Sequence, residues 1–320
     1  MDKQIIQART LSGFRDLLPQ EALAKEDMIR TVSDIFRSFS FAPIETPHLE
    51  YEETLVDISE DDVQKEMYRF EDHGGRRVAL RFDQTLPLAR YVVEHKNDLA
   101  LPFRRYAIGN VFRGERPQKG RYREFTQCDF DCVGSDSSAV DAEVIAITAA
   151  AITVLGISDF TIAISNRKIL NGYLQTLHLE SQAESILRIV DKKAKISAEE
   201  FERLLTENCN GDTALAHDIA QSVSLSWEDI QMKQGHNDLL DQGIQELEQI
   251  ISLLAALGVD AKNYTIDLSI VRGLGYYTGM VFETTLDALP NFGSVCSGGR
   301  YDTLTQKFSK ELTPATGAGL

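Results

Sequence analysis

No apolar stretch in this chain approaches the ~20 residues that a bilayer-spanning helix needs. The first residues, MDKQIIQARTLSG, hold neither an apolar core nor a secretory cleavage pattern. Neither a membrane span nor an export signal is expected, and the cytoplasm is the expected compartment. Cysteine is scarce. Cys128, Cys132, Cys209 and Cys296 form no Cys-x-x-Cys pair, and no histidine stands beside them at zinc-ligand spacing. Cys128 and Cys132 lie four apart in an expected strand, so they share a face. They are read as packed thiols rather than half of a zinc site, and neither cysteine-bound metal nor disulfides are expected. The phosphate loop Gly-x-x-x-x-Gly-Lys-Ser/Thr is missing, as is the glycine pattern of a dinucleotide-binding βαβ unit. A nucleotide, if bound, must be held on a sheet by arginines. Basic residues are in deficit, 33 Lys and Arg against 49 Asp and Glu, for a net charge of −16. That excludes a protein coating nucleic acid through a general positive field, though not a local basic groove. Repeats, low-complexity tracts and flexible linkers are absent as well.

What is present is an ordinary globular composition, 43% apolar and 26% charged over 320 residues, enough for one large domain or two modest ones. After an extended arm ending at Leu17-Leu18-Pro19, Met28, Val32, Ile35, Phe36 and Phe39 recur at helical spacing. Residues 42–47 read as a short strand whose prolines belong at an edge or interface. Strands are expected at 67–70 and 78–82, joined by a turn at Asp72-His73-Gly74-Gly75, then a helix at 86–93 with Pro87 in its first turn. Strands at 103–113 and 124–133 form an antiparallel pair with a polar, basic tip. A helix follows at 138–155 and a strand at 160–164. Residues 167–258 are nearly all helical, ending in an amphipathic helix at 239–257. Strands resume at 266–270, 280–285 and 293–297. The pattern predicts an α+β fold, a mainly antiparallel sheet flanked by helices with an inserted helical subdomain.

Four constellations carry chemistry. On the paired strands every second residue shares a face. Arg105, Gly109 and Arg113 therefore stand together, and so do Phe125, Gln127, Asp129 and Asp131. The bland alternative is a solvent-facing polar sheet surface. The tip is dense in arginine, and Arg113 and Arg121 could clamp a polyphosphate through paired hydrogen bonds. Phe125 could stack on a base, and Asp131 could meet an ammonium group. The second constellation is the glycine-rich run Arg272-Gly273-Leu274-Gly275-Tyr276-Tyr277-Thr278-Gly279. The third is Ser297-Gly298-Gly299-Arg300-Tyr301-Asp302, expected where a strand gives way to a helix. The fourth is residues 81–85, read as a strand end with Asp83 and Thr85 on one face.

Residues 112–125, FRGERPQKGRYREF, resemble motif 2 of class II aminoacyl-tRNA synthetases in its histidyl form. Residues 268–279, LSIVRGLGYYTG, resemble the histidine-specific motif of histidyl-tRNA synthetases, and residues 297–302, SGGRYD, that family's second histidine motif. Residues 42–50 stand where the dimer-forming motif 1 belongs, so the resemblance spans essentially the whole chain.

The resemblance implies a histidine–tRNA ligase, which makes histidyl-adenylate from ATP and transfers histidine to tRNA(His), with Mg²⁺ on the ATP and no protein-built metal site. It implies that Arg113 and Arg272 are catalytic. Arg113, Glu115, Arg121 and Phe125 would bind ATP, and Asp83, Thr85, Gln127, Asp131, Tyr276, Tyr277 and Tyr301 would bind histidine. Arg116 and Gln118 would touch the tRNA acceptor end, and the protein would be a homodimer. Residues 1–166 and 241–320 would form the two parts of the catalytic core, and residues 167–240 the helical insertion that clasps the acceptor stem. Gly275 departs from the aspartate of many relatives. The family pattern continues into motif 3 and an anticodon-binding domain that the residues to Leu320 do not include, so a truncated catalytic region with impaired activation is expected. The alternative is the regulatory subunit of ATP phosphoribosyltransferase, a synthetase-like binding protein. Its motif arginines are usually degraded, whereas Arg113, Glu115, Arg121 and Arg272 all stand here.

Overall fold

The computed structural model describes residues 6–56, 66–116, 120–271 and 276–320. Helix α1 (Pro19–Ser38) begins on a proline, which needs no partner for a missing N–H in the first turn, and Glu21 accepts the Leu18 N–H at 3.1 Å. It buries Val32 and Phe36, while Met28, expected on the same stripe, is exposed. Strand β1 (Ala42–Pro43) follows and pairs in parallel with β5 (Phe103–Phe112), which places Pro43 on a sheet edge. That is where a residue without an N–H does least harm.

The main sheet has eight strands in the order β1-β5-β6-β11-β10-β9-β7-β8. Its remaining members are β6 (Glu124–Val133), β7 (Phe160–Asn166), β8 (Tyr264–Ile266), β9 (Met280–Leu286), β10 (Ser294–Arg300) and β11 (Ala315–Gly319). All neighbours pair antiparallel except the two edge pairs, β1 with β5 and β7 with β8. The expected strand at 266–270 is shorter than its apolar spacing suggested. It ends at Ile266 because Asp267 Oδ1 accepts the Ser269 N–H and hydroxyl at 2.9 and 2.6 Å, turning the chain.

The back of the sheet carries the main core. Phe130 and Cys128 of β6 pack with Val32 and Phe36 of α1 and with a helix at Ser138–Val154 that is apolar on nearly every side. Such a helix must be covered all round. The helix Asp238–Ala256 packs on its far side. All four cysteines are buried and free. Burial pushes the Cys128 and Cys296 thiols up to about 12, so they behave as small apolar groups.

A small antiparallel sheet, β2 (Leu49–Tyr51), β4 (Arg77–Leu80) and β3 (Arg69–Glu71), sits with the helix Thr85–Glu94 around a second core of Leu55, Phe82, Leu86, Leu88 and Tyr301. Between β3 and β4, Asp72 Oδ1 accepts the N–H groups of Gly74 and Arg76, both at 2.9 Å, and Gly75 takes a positive φ of 75°. The four helices between residues 167 and 222 enclose a third core, to which Leu170, Leu174, Ile186, Phe201 and Ile219 contribute, along with Val271 from beyond the block.

Candidate active site

The front face of the sheet is polar and buried. Strands β5 and β6 pair over their full length, with Arg105 opposite Asp131, Ala107 opposite Asp129, Gly109 opposite Gln127 and Val111 opposite Phe125. Strand β11 lies on the other side of β6 and sets Gly317 beside Asp131 and Gly319 beside Asp129. The predicted sharing of one face holds, but the face is not open to solvent. Arg105 is 0% exposed, Asp131 3% and Asp129 4%. The loop at residues 81–84 closes over it. Arg81 donates to Asn110 O and Thr46 O, both at 2.9 Å, and Gln84 Nε2 donates to Gln127 O at 3.1 Å. Gly109 is required beneath, because a Cβ there would collide with the Arg81 guanidinium.

That loop corrects one expectation. Asp83 and Thr85 do not share a strand face. Asp83 precedes the helix Thr85–Glu94, and its Oδ1 accepts the Leu86 N–H at 3.2 Å, which satisfies one of the free donors of the first turn. The same geometry leaves Asp83 Oδ2 buried without a donor.

Three tyrosines line one side. The Tyr276 and Tyr277 rings lie 4.9 Å apart, and Tyr301 is 5.8 Å from Tyr276 and 6.5 Å from Tyr277. Gly299 makes room, since a Cβ there would stand 2.9 Å from Tyr277 Cδ1. The Tyr301 hydroxyl donates to Asp131 Oδ1. Asp131 Oδ2 lies 2.6 Å from Arg105 Nη2, an ion pair whose approach falls outside hydrogen-bond angles. Gln127 Oε1 and Asp129 Oδ1 are buried with no donor, and Arg105 Nε and Nη1 have no acceptor. Burial pushes Asp129 up to about 8 against the pull of Arg105, and Asp83 up to about 6; Asp131 is raised for the same cause. Burial likewise holds the three tyrosines neutral by raising their phenols. A buried site with unmatched carboxylate and amide acceptors suits a ligand bearing several N–H groups.

The basic side is more open. Arg113 donates to Phe82 O at 3.1 Å, and its guanidinium stands 5.1 Å from the centre of the Phe125 ring. Arg121 pairs loosely with Glu115 at 3.8 Å, and Arg123 holds the Glu115 carbonyl at 3.1 Å. Gly120 rests on the Phe292 ring of the β9–β10 connection, where a Cβ would stand 2.6 Å from Cζ. Arg116 is exposed. Gln118, Arg272 and Gly275 lie outside the described residues, so the site is defined by Arg113, Glu115, Arg121 and Phe125 on one side and by Asp83, Thr85, Gln127, Asp131 and the tyrosines on the other.

Two residues stood on the predicted face without an assigned role, Arg105 and Asp129; their strict alternation with Gln127 and Asp131 was the signal. Arg300, in the run where a strand was expected to give way to a helix, is the last residue of β10, and a short helix at Leu304–Lys307 follows. Arg300 turns to the back of the sheet, where it pairs with Asp141 at 3.0 Å and donates to the carbonyls of Ser135 and Ser137. The turn keeps Tyr301 on the front.

A family model described as histidyl-tRNA synthetase matches residues 13–320. The histidine–tRNA ligase of Wolinella succinogenes is 53% identical over 327 aligned positions, which cover 100% of this chain and 74% of that protein. The Helicobacter pylori J99 histidine–tRNA ligase is 50% identical, covering 99% of this chain and 73% of its own. The crystal structure of histidyl-tRNA synthetase from Nostoc sp. PCC 7120 superposes with a TM-score of 0.88 at 35% identity, covering 99% of this chain and 74% of that one. A Bacillus halodurans structure described as an ATP phosphoribosyltransferase regulatory subunit/histidyl-tRNA synthetase superposes at 0.86 with 27% identity, covering 99% and 82%.

Proposed function

The chain belongs to the histidyl-tRNA synthetase family, and from that premise we propose which of its residues carry the family's chemistry. The activity is that of a histidine–tRNA ligase. Histidine lies on the buried face of β6, its ammonium end toward Asp83, Thr85 and Gln127 and its imidazole among Tyr276, Tyr277, Tyr301 and Asp131. ATP lies at the open end of the same strands. Phe125 stacks on adenine once Arg113 leaves its ring for the α-phosphate, Glu115 meets the adenine amino group, and Arg121 holds the outer phosphates. Arg272 is assigned to the α-phosphate by its motif.

In this arrangement the histidine carboxylate attacks the α-phosphorus and pyrophosphate leaves. The terminal ribose hydroxyl of tRNA then takes the histidyl group and releases AMP. Little covalent work falls to the protein. Its contribution is to hold the two substrates in line and to place guanidinium charge where negative charge develops. A divalent ion carried on the phosphates would add to that charge. Neutral phenols suit an imidazole, whose two nitrogens need one donor and one acceptor, and an analogue lacking them would leave buried partners unmatched at about 1–3 kcal/mol each.

Arg116 and Gln118 are proposed at the tRNA acceptor end and the helices of residues 167–240 along its stem. A homodimer is proposed through residues 42–50 and the exposed apolar side chains Leu18, Leu23 and Met28 of α1. No helix among the described residues is long and apolar enough to cross a membrane, and the cytoplasm, where tRNA is charged, is the proposed compartment.

The observation that carries this assignment is the pocket itself, buried Tyr301 with half-buried Tyr276 and Tyr277 beside unmatched carboxylate and amide acceptors. Its test is pyrophosphate exchange into ATP, expected only with histidine present and cut steeply by Arg113→Ala. Exchange that proceeds equally with any amino acid would overturn the histidine assignment. Absence of exchange together with binding to a phosphoribosyltransferase would favour the regulatory subunit.

A further inference from the structure

The question left by the site is which carboxylate takes the substrate's ammonium group. Asp131 is the candidate its motif suggests, yet its charge is already met, with Arg105 2.6 Å from Oδ2 and the Tyr301 hydroxyl on Oδ1. Asp131 Oδ2 has that ion pair although it lacks a hydrogen-bond donor; the acceptors on this face with neither are Asp83 Oδ2, Gln127 Oε1 and Asp129 Oδ1. An alkylammonium has three N–H donors and no acceptor, and three free acceptors are its complement. Gln127 and Asp129 are neighbours on the same face of β6, and both reach past one glycine. A Cβ on Gly319 would stand 2.7 Å from Asp129 Oδ1 and 3.6 Å from Gln127 Nε2. Charge points the same way. Asp83 and Asp129 face two buried guanidiniums, Arg105 and Arg81, but Arg81 is committed to the carbonyls of Asn110 and Thr46, and Asp129 Oδ1 is left without a donor where an unmatched carboxylate is costly.

Resting on the histidine reading above, we infer that Asp129, with Asp83 and Gln127, binds the α-ammonium of the substrate, and that Asp131 is a positioning residue that holds Tyr301 for the imidazole. Asp129 then selects for a free, protonated amino group and sets histidine apart from imidazole compounds without one.

Two analogues separate these roles when used as inhibitors of histidine-dependent pyrophosphate exchange. Imidazolepropionate lacks the ammonium, and histidinol keeps it but lacks the carboxylate. In the isosteric Asp129→Asn variant, the KM for histidine and the Ki for histidinol should each rise by about 30-fold, the loss of one charge-assisted hydrogen bond. The Ki for imidazolepropionate should change by less than about threefold, within the uncertainty of one neutral contact. In Asp131→Asn all three ligands should weaken together, because the defect lies at the ring. Asp129→Ser repeats the comparison if the asparagine variant does not fold. The inference is overturned if imidazolepropionate loses as much as histidine in Asp129→Asn, or if the histidine KM does not move. A wild-type protein with no histidine-dependent exchange would instead count against the ligase assignment. Calorimetric titration with histidinol would then decide the role of Asp129 separately, by whether Asp129→Asn weakens it.

Discussion

Replacing Arg105 with methionine should be among the most damaging single changes to this fold, and the damage should depend on pH. Arg105 is 0% exposed and lies 2.6 Å from Asp131. Methionine keeps much of the stem volume but removes the charge, leaving Asp83, Asp129 and Asp131 facing one another, with buried Arg81, held on backbone carbonyls, and half-buried Arg113 the cations that remain nearby. Breaking a buried pair by removing one partner costs about 3–5 kcal/mol, most of it the stranded charge. With Arg105 present, Asp129 already stands at about 8 and Asp83 at about 6, and without it both rise further. A carboxyl whose pKa is higher in the folded than in the unfolded chain costs nothing below the ordinary carboxylate range. Its cost grows as pH rises toward the folded value and is complete above it. The loss in urea unfolding should therefore be about 1–2 kcal/mol near pH 5, where the carboxyls hold their protons and only packing and polar contacts are missing, and reach the full figure above about pH 8.5. Adding Asp131→Asn should restore part of it. Equal destabilisation at the two pH values, or less than about 1 kcal/mol at the higher one, would refute Arg105 as counter-ion of the cluster.

Other outcomes follow from the same coordinates. Gly319→Ala places a methyl 2.7 Å from Asp129 Oδ1 and should raise the histidine KM by about tenfold or more with a smaller fall in Tm; an unchanged KM would show that the carboxylate is not held there. Asp129 must be ionised to take an ammonium, so the histidine KM should climb as pH falls from about 8 to 6.5, and Asp129→Asn should flatten that slope, measured by exchange. The groups facing Asp129 in this titration are Asp83, Asp131, Arg105, Arg113, Arg81 and the Tyr277 phenol. On the back of the sheet, Asp141→Ala removes the bidentate partner of the 3% exposed Arg300 but leaves it Asp302 and the carbonyls of Ser135 and Ser137, so the cost in urea unfolding should be about 2–3 kcal/mol, below that of a fully stranded charge; a loss under about 1 kcal/mol would mean that the pair contributes nothing.

The β5–β6 pair was legible because its side chains alternate without a break, so period two alone assigned Arg105, Gln127, Asp129 and Asp131 to one face. Pro43 on an edge and Pro87 in a first turn were legible because proline has few places to go. Burial of the polar face was not legible. It depends on Arg81 and Gln84, dozens of residues away, reaching over to backbone carbonyls of Asn110 and Gln127. Asp83 was misplaced because a short polar residue after a strand reads equally well as its last residue or as the start of the next helix, and only the Leu86 N–H decides. Leu268 and Ile270 looked like strand residues, yet Asp267 between the apolar positions had the side chain to turn the backbone. Asp129 was in view throughout, but its use shows only once Asp131 is seen to be occupied.

Strand β6 explains how one protein can tolerate such a site. Its even positions are buried, Cys128 and Phe130 against α1 and the helix Ser138–Val154, and its odd positions carry Gln127, Asp129 and Asp131. The apolar side anchors the strand in the middle of an eight-stranded sheet, hydrogen-bonded to β5 and β11, so that the polar side cannot relax toward water. Held there, Asp129 and Asp131 cannot move away from each other or from Asp83 of the adjoining loop, and although Arg105 and Arg81 lie beside them, Asp129 Oδ1 is left with no donor. The remaining imbalance destabilises the empty protein and is relieved when a cation enters. A ligand bearing an ammonium therefore gains from the fold's own strain, whereas a neutral imidazole of the same shape does not. Discrimination for a free amino acid is on this view stored in the empty site, and replacing Asp129 with asparagine should make the unliganded protein more stable above about pH 8 while making it a poorer judge of its substrate.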